Sequence, residues 1–126
     1  CSLFLISFII SSHTIIIDSE DVFYKENGKT CKGRANSGVL SKTKRTEAIK
    51  AFCEEIKRYG YDPMIYASLV WFSKQLDMSQ LPYNVWCAQY YSKCEYKGKY
   101  IMWQYTSEAK VKGISEKVDM NYWYGK

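Results

Sequence analysis

The alternation of strand-like and helix-like segments constrains this chain more than any other feature of its sequence. The β-branched run 15–17 predicts a buried strand, and apolar residues at helical spacing over 48–56 predict a helix that ends at Gly60. A second strand is predicted over 63–67 and a short helix over 69–76. Alternating strands and helices favour parallel strands with helices outside, and functional groups then lie at the carboxyl ends of the strands.

Three further strand-like segments complete the chain, at 85–90, 100–105 and 118–121, with no helix-length periodic segment between them. The predicted order is therefore β, α, β, α, β, β, β. Residues 21–41 show no clear periodicity and predict a long loop of the kind that carries function. The first helix is predicted to turn a solvated charged face outward, formed by Lys44, Arg45, Lys50, Glu54, Lys57 and Arg58.

Two carboxylates, Asp18 and Glu20, follow the first predicted strand one residue apart. Because side chains alternate along a strand, both would point to the same side, about 6–7 Å apart. Cleavage of a glycosidic bond uses such a pair, with one carboxyl protonated as an acid and the other ionised. A solvated acidic turn is the alternative interpretation. Further candidate functional residues fall at later strand ends, namely Tyr66, Tyr90, Tyr105 and Asp119.

Length and composition bound the function. The 126 residues are enough for one domain with a core, but only about half of an ordinary eight-stranded α/β barrel. Aromatic residues reach 17%, which suits either the faces of sugar rings or half-buried packing. The net charge of +5 favours an anionic polymer as partner. A nucleic-acid module would interleave basic and aromatic residues on one surface, whereas here the basic residues concentrate in 42–58 among glutamates.

The cysteines and the single histidine predict neither a metal site nor a cofactor. There are five Cys residues without a C-x-x-C spacing, and their odd number argues against a complete disulfide framework. Cys53 lies in the helical apolar stripe and Cys87 in a strand-like run, so both are interpreted as core residues. A Cys–His nucleophile would have to use His13, which precedes the first strand, and we disfavour it.

Residues 1–13 form an atypical apolar segment. The apolar run 3–10 is too short to span a bilayer, and it lacks the basic region and small-residue cleavage pattern of a convincing signal peptide. We expect it to be the start of a truncated or altered chain. A buried strand or helix of an intact fold is the alternative.

Six segments in series carry a resemblance to a known family. They are 17–21 (IDSED), 33–38 (GRANSG), 63–67 (PMIYA), 86–90 (WCAQY), 102–107 (MWQYTS) and 118–121 (VDMN). With these segments the chain resembles the glycoside hydrolase family 25 lysozymes, the muramidases of bacteria and their phages. The resemblance implies an α/β fold, the (β/α)5β3 TIM-like barrel. This chain would supply its strands four to eight, with a partial catalytic domain over 14–126.

The resemblance also implies an activity and a set of site residues. The reaction would be hydrolysis of the β-1,4 bond between N-acetylmuramic acid and N-acetylglucosamine in peptidoglycan. Glu20 would be the acid/base, Asp18 would orient or stabilise the substrate's acetamido group, and Asp119 would be another acidic residue of the cleft. The cleft lining would comprise Tyr66, Gln89, Tyr90, Trp103, Gln104 and Tyr105. For Trp103 and Tyr105, barrel packing is an alternative of equal weight.

One departure from the family pattern concerns the first strand, which in the family supplies a further active-site Asp. Residues 1–17 contain neither Asp nor Glu, so we expect strands one to three to be missing. Such a half barrel would expose two sheet edges. The expected function is thus a lysozyme or, alternatively, an inactive or peptidoglycan-binding remnant of one. The expected partner is the peptidoglycan glycan strand, at an extracellular or cell-wall location and of bacterial or phage derivation, without nucleic acid or stable membrane insertion.

Overall fold

The computed structural model describes residues 13–125, so the apolar run 3–10 lies outside the described residues. This part of the chain forms seven strands, two α-helices and one 3₁₀ turn. The strands are β1 Thr14–Asp18, β2 Phe23–Glu26, β3 Lys29–Lys32, β4 Asp62–Ser68, β5 Asn84–Ala88, β6 Met102–Ala109 and β7 Val118–Trp123. The helices are α1 Lys42–Arg58 and α2 Leu69–Lys74, and the 3₁₀ turn is Met78–Gln80.

Five strands form the main sheet, in the order β1-β4-β5-β6-β7. The first three junctions are parallel, but β6 and β7 are antiparallel, which corrects the expectation of parallel strands for the last pair. The reason is the connection. A parallel crossover needs a dozen or more residues, whereas the short segment 110–117 only allows the chain to turn back. Within residues 13–125, β1 and β7 are the two edges of this sheet.

The segment 21–41, expected to be an irregular loop, contains the antiparallel hairpin β2–β3. Its turn is Asn27–Gly28, and both residues have positive φ, 51° and 77°. Asn-Gly is the preferred pair for a two-residue hairpin turn, because both central positions need the left-handed region. The periodicity argument missed the hairpin because its strands are short and mostly exposed, without an apolar face that alternates.

The core lies between the sheet and the two helices. On the sheet side it contains Ile17, Ile65, Val85 and Cys87, which alternate with residues of the opposite face as strand geometry requires. Helix α1 contributes Ile49 and Cys53, whose neutral thiol is buried as the sequence predicts. Helix α2 adds Trp71 and Phe72. The helices therefore cover β1, β4 and β5, which carry the first candidate site residues.

Arg45 corrects the expected charged face of α1. The sequence predicts it on the solvated side of the helix, but it is fully buried. It lies on the same helical stripe as Ile49, Cys53 and Ile56, at spacings of three to four residues, and this stripe faces the core. The other charged residues of α1 are largely exposed, as predicted. Within the part of the chain that was searched, no helix is long and apolar enough to cross a membrane.

Candidate functional site

The first strand delivers two carboxyl groups to the carboxyl end of the sheet. Asp18 is the last residue of β1 and pairs in register with Tyr66 of β4. The backbone N–H of Ser19 donates to the carbonyl of Tyr66 at 2.9 Å, which holds the chain against β4 for one residue more. The next residue, Glu20, is exposed to solvent. The two carboxyls thus meet at the boundary between the protein interior and an open surface.

Burial changes the chemistry of Asp18. Its Oδ1 is buried and has no hydrogen-bond partner within the described part of the chain. The pKa of Asp18 is raised to about 7, first by desolvation on burial and then by the neighbouring Glu20 carboxylate. Near pH 7 this carboxyl is therefore still partly protonated. The pair provides one carboxyl that holds a proton beside another that faces solvent.

Three side chains meet next to this pair, from β4, from β6 and from the loop that follows β5. The hydroxyl of Tyr66 donates to Oε1 of Gln104 at 3.0 Å, and the hydroxyl of Tyr90 donates to the same atom at 2.7 Å. Gln104 itself is buried on β6. One amide oxygen thus fixes two phenol groups, and the alternation of β6 places Gln104 on the face opposite to Trp103.

Tyr66 lies at the centre of the candidate site. Its pKa is raised, first by burial and then by the nearby Tyr90, Glu20, Asp18 and Asp119. The tyrosine therefore stays neutral and serves as a hydrogen-bonding group. The same effect shows that the three predicted acidic residues all lie within electrostatic range of one side chain.

The position of Asp119 within its strand differs from the prediction. It was expected at the end of the last strand, but it is the second residue of β7, near the strand's beginning. Because β7 runs antiparallel to β6, the beginning of β7 lies beside the carboxyl end of β6, with Val118 opposite Ala109. Asp119 therefore lies toward the same end of the sheet as Asp18 and Glu20, the end formed by the carboxyl termini of the parallel strands.

An open cleft of about 350 Å³ lies beside these groups. Its volume is at the lower end of the range that ligand sites occupy. Its lining combines an acidic, an amide, two phenol and two aliphatic side chains, from Glu20, Gln89, Tyr66, Tyr90, Leu69 and Val70. Aromatic rings suit the faces of a sugar ring, and polar side chains can bond its hydroxyls.

Gln89 lines the cleft with its amide bonded to a neighbour, whereas Trp103 and Tyr105 do not line it. The side-chain amide of Gln89 is engaged with Glu95, donating to its carboxylate at 2.8 Å and accepting from its backbone N–H at 2.7 Å. Trp103 is buried, and its indole N–H donates to the carbonyl of Gln89 at 2.8 Å. Tyr105 stacks on Tyr122 with ring centroids 4.7 Å apart. Trp103 and Tyr105 therefore lie in an aromatic stack on the face opposite to Gln104, apart from the cleft.

One aromatic residue of the site was not singled out from the sequence. Trp86 of β5 pairs in register with Tyr66, and the two rings meet edge to face with centroids 4.7 Å apart. Its indole N–H donates to Oδ1 of Asn121 at 2.8 Å, which ties β5 to β7. The signal was the period-two pattern of 85–88, where Val85 and Cys87 face the helices and Trp86 faces the site.

Within the described residues, no group of three or more His, Cys, Asp or Glu side chains is arranged to hold a metal ion.

Comparisons with known proteins bear on the nature of this site. The sequence model of glycosyl hydrolases family 25 matches residues 6–114. A search of curated protein sequences finds no match.

Two solved structures resemble the fold. One is a family 25 glycosyl hydrolase from Bacillus anthracis, with a TM-score of 0.64 and 23% identity, over 88% of this chain and 49% of that one. The other is the CTP1L endolysin, with a TM-score of 0.54 and 28% identity, over 62% of this chain and 29% of that one. The chain therefore spans about half or less of the length of each structure.

Proposed function

Because this chain belongs to glycosyl hydrolases family 25, we propose that its cleft binds peptidoglycan and hydrolyses the β-1,4 bond between N-acetylmuramic acid and N-acetylglucosamine. The observation that carries the proposal is the Asp18–Glu20 pair at the carboxyl end of β1, with Glu20 lining a cleft that Tyr66 and Tyr90 also line. The fold similarity to a family 25 hydrolase and to an endolysin supports the same assignment.

Glu20 is the proposed acid/base. It lines the cleft and is exposed, so a glycosidic oxygen can approach it directly. Donation of a proton to that oxygen makes the sugar a better leaving group, and water is then activated by the same carboxylate on the return step. Asp18, two residues earlier at the end of β1, is more buried than Glu20, and burial and the neighbouring Glu20 charge raise its pKa to about 7.

Asp18 is the proposed partner of the substrate's acetamido group. Its unpartnered Oδ1 is an acceptor that a substrate amide N–H can satisfy, which would orient the acetamido oxygen toward the anomeric carbon. Such assistance by the substrate is one of the exceptions to the scheme with two enzymic carboxylates. A buried acceptor without a partner costs about 1–3 kcal/mol, so filling it favours the bound state.

The other site residues are proposed to bind the glycan strand. Tyr66 and Tyr90 present flat rings to the sugar faces, with their hydroxyls held by Gln104. Asp119 faces the same region and would accept hydrogen bonds from sugar hydroxyls. Gln89 contributes from the cleft wall. Trp103 and Tyr105 are proposed to support the site by packing, without contact to the glycan.

The architecture agrees with a part of the family barrel. We propose that β1, β4, β5, β6 and β7 correspond to strands four to eight of the (β/α)5β3 barrel, with a partial catalytic domain over 14–126. Two features support this correspondence, namely the three parallel junctions from β1 to β6, and the absence of helices between the last three strands in residues 84–123. The proposed place of action is the cell wall, of bacterial or phage derivation.

Replacement of Glu20 by Gln tests the proposal. The amide keeps the shape of the side chain but cannot protonate the leaving oxygen, so we expect the release of reducing ends from purified peptidoglycan to fall by about 10²–10⁴-fold. Glu55→Gln is the matched control, because Glu55 is exposed on α1 and pairs only with Arg58 among the ion pairs found. A Glu20→Gln protein that keeps more than roughly a tenth of the rate would overturn the acid/base assignment.

A peptidoglycan-binding module is the alternative function. It is favoured by one observation, that the link between Tyr66, Tyr90 and Gln104 does not involve either carboxyl of the pair. Under this alternative, the unaltered chain sediments with purified cell walls and releases no fragments, and Glu20→Gln does not change the sedimented fraction. Release of muramic-acid-terminated fragments by the unaltered chain excludes it.

A further inference from the structure

The guanidinium of Arg45 is fully buried and makes hydrogen bonds to backbone carbonyls. Nε donates to the carbonyl of Ala35 at 2.8 Å, and Nη2 donates to those of Asn36 and Leu40 at 3.0 and 2.7 Å. Nη1 donates to the carbonyl of Gln75 at 3.0 Å. The rigid fork of an arginine can bind several fixed acceptors at once, which a lysine ammonium cannot reproduce. Arg45 thus fixes the backbone of 35–40 against the end of α2.

The segment fixed by Arg45 holds the chain just beyond Glu20. The side-chain amide of Asn36 pairs with the backbone of Val22, accepting from its N–H at 2.7 Å and donating to its carbonyl at 2.8 Å. Ser37 donates both its backbone N–H and its hydroxyl to the carboxylate of Asp21, each at 2.7 Å. Four hydrogen bonds therefore anchor the two residues that follow Glu20.

A second connection from Arg45 reaches the residue between the two carboxyls. The guanidinium lies over the ring of Trp71, 5.1 Å from its centroid. The indole N–H of Trp71 donates to the hydroxyl of Ser19 at 2.8 Å, and both residues are buried. Ser19 is the middle residue of the Asp18–Ser19–Glu20 segment. The segment is thus held from one side through Trp71 and from the other through Asn36, and both connections begin at Arg45.

We propose that Arg45 is a positioning residue for the Asp18–Glu20 pair, acting through Trp71 and Ser19 on one side and through Asn36 and Val22 on the other. The inference rests on the proposed function and deepens it. Glu20 is exposed and lies beyond the end of β1, so strand pairing alone does not fix it. Catalytic groups must be held to within about 0.5 Å, and a misplacement of 1 Å can reduce the rate by about 10²-fold.

The test compares Arg45→Lys with Arg58→Lys in the full chain. Arg58 is the matched control, because it is an exposed arginine of the same helix whose ion pair with Glu55 is separate from the site. Three quantities are measured for each protein: kcat and KM for a soluble peptidoglycan fragment, the Trp71 indole N–H resonance, and the titration of the Asp18 carboxyl by NMR. We expect Arg45→Lys to shift the indole resonance and the titration midpoint, and to lower kcat about 10–100-fold with KM within about twofold. Arg58→Lys changes none of them.

Two results would overturn the proposal. One is a folded Arg45→Lys protein in which the Trp71 resonance and the Asp18 titration match the unaltered chain. The other is a protein in which the resonance moves while kcat and the Asp18 titration do not, since Arg45 would then support the fold without positioning the pair. If Arg45→Lys does not fold, Ser19→Ala replaces it, because this change removes only the acceptor of the Trp71 N–H. A smaller kcat loss with a shifted Asp18 titration then supports the proposal, and an unchanged titration overturns it.

Failure of the proposed function is recognised separately. In that case the unaltered chain itself releases no fragments, and the kinetic comparison disappears. The Trp71 resonance and the Asp18 titration are still measured, and they alone decide whether Arg45 controls the geometry of the pair. A shift of both in Arg45→Lys supports positioning, and a shift of neither overturns it.

Discussion

Across its width, the main sheet has a helix-covered end, formed by β1, β4 and β5, and an open end, formed by β6 and β7, and the two are built differently. At one end, β1, β4 and β5 pack against α1 and α2, and Ile17, Ile65 and Val85 are almost fully buried there. At the other end, β6 and β7 form an antiparallel pair whose outer face carries a stack of aromatic rings, with Tyr122 and Tyr124 about half exposed. The proposed acid/base comes from the helix-covered end, and Asp119 comes from the open end.

The difference suggests a division of tasks. Groups that transfer protons need fixed positions, and the helix-covered end provides them, because buried Trp71 of α2 donates to Ser19 between Asp18 and Glu20. Groups that contact the sugar can tolerate more motion and more water. Gln104 connects the two ends, because it lies on β6 and accepts from Tyr66 on β4. Four changes are expected to test this comparison.

The largest effect on stability is expected in the helix-covered end. Ile65 is fully buried between β4 and the helices, so Ile65→Ala leaves a cavity and should lower the free energy of unfolding by about 2–5 kcal/mol. Ile114→Ala is the matched control, because Ile114 is about half exposed, and we expect a change within roughly 0.5 kcal/mol. Urea unfolding measures both. Equal losses at the two positions would contradict the comparison.

The connection between the two ends is tested at Gln104. Gln104→Leu removes the acceptor shared by two tyrosines and leaves the half-buried Tyr66 hydroxyl unpaired, which should cost about 1–3 kcal/mol of unfolding free energy. Tyr66→Phe removes the other partner of the same bond. If the bond carries the coupling, the double variant loses less than the sum of the two single losses. Additive losses would show that Gln104 does not link β4 to β6.

The charge state of Asp18 predicts a dependence of stability on pH. Its folded-state pKa of about 7 lies above the unfolded value of 3.8, so the folded state binds the proton more tightly. The contribution of Asp18 to stability is therefore fully present below pH 4 and is lost as the pH rises through 7. Asp18→Asn should remove this loss of stability at high pH. The change in unfolding free energy should be smaller than at Gln104, because Asp18 is only partly buried. Unfolding curves between pH 4 and 8 measure it, with the exposed Asp62→Asn as control; identical pH profiles for the two variants would refute it.

The smallest effect is expected in the aromatic stack. Tyr122 contacts Trp103 and Tyr105 with ring centroids 5.5 and 4.7 Å apart, but its side chain is about half exposed. Tyr122→Leu keeps apolar contact and loses the ring interactions, which should cost about 0.5–1.5 kcal/mol. Thermal unfolding measures the change, and no loss of peptidoglycan sedimentation is expected. A marked loss of sedimentation would mean that glycan also binds the outer face of β6 and β7.

Much of the fold could be predicted from the sequence. The strands at 15–17, 63–67, 85–90, 100–105 and 118–121 and both helices exist, with boundaries shifted by a few residues. Most of these elements have apolar periodicity and are fixed by burial of that apolar surface, whereas β7 is largely exposed and pairs with β6. The hairpin β2–β3 was missed because it is mostly exposed, although its Asn27–Gly28 turn was a signal for it.

The candidate site was predictable only in part. The sequence drew attention to Asp18 and Glu20 because their spacing follows a buried strand, and the structure does bring them together with Tyr66, Tyr90 and Asp119. Their roles stay predictions. The sequence predicted Arg45 on the solvated face because it is charged. Its position, however, has the same helical phase as Ile49 on the apolar stripe of α1.

The sequence by itself determined which segments become strands and helices, since local periodicity and turn residues act over a few neighbours. Only the tertiary structure decided the face on which Trp103 and Tyr105 lie and the partners of Arg45. These features depend on contacts between residues that are distant in the chain. The Trp71–Ser19 bond joins positions 52 residues apart, and no local pattern encodes such a contact.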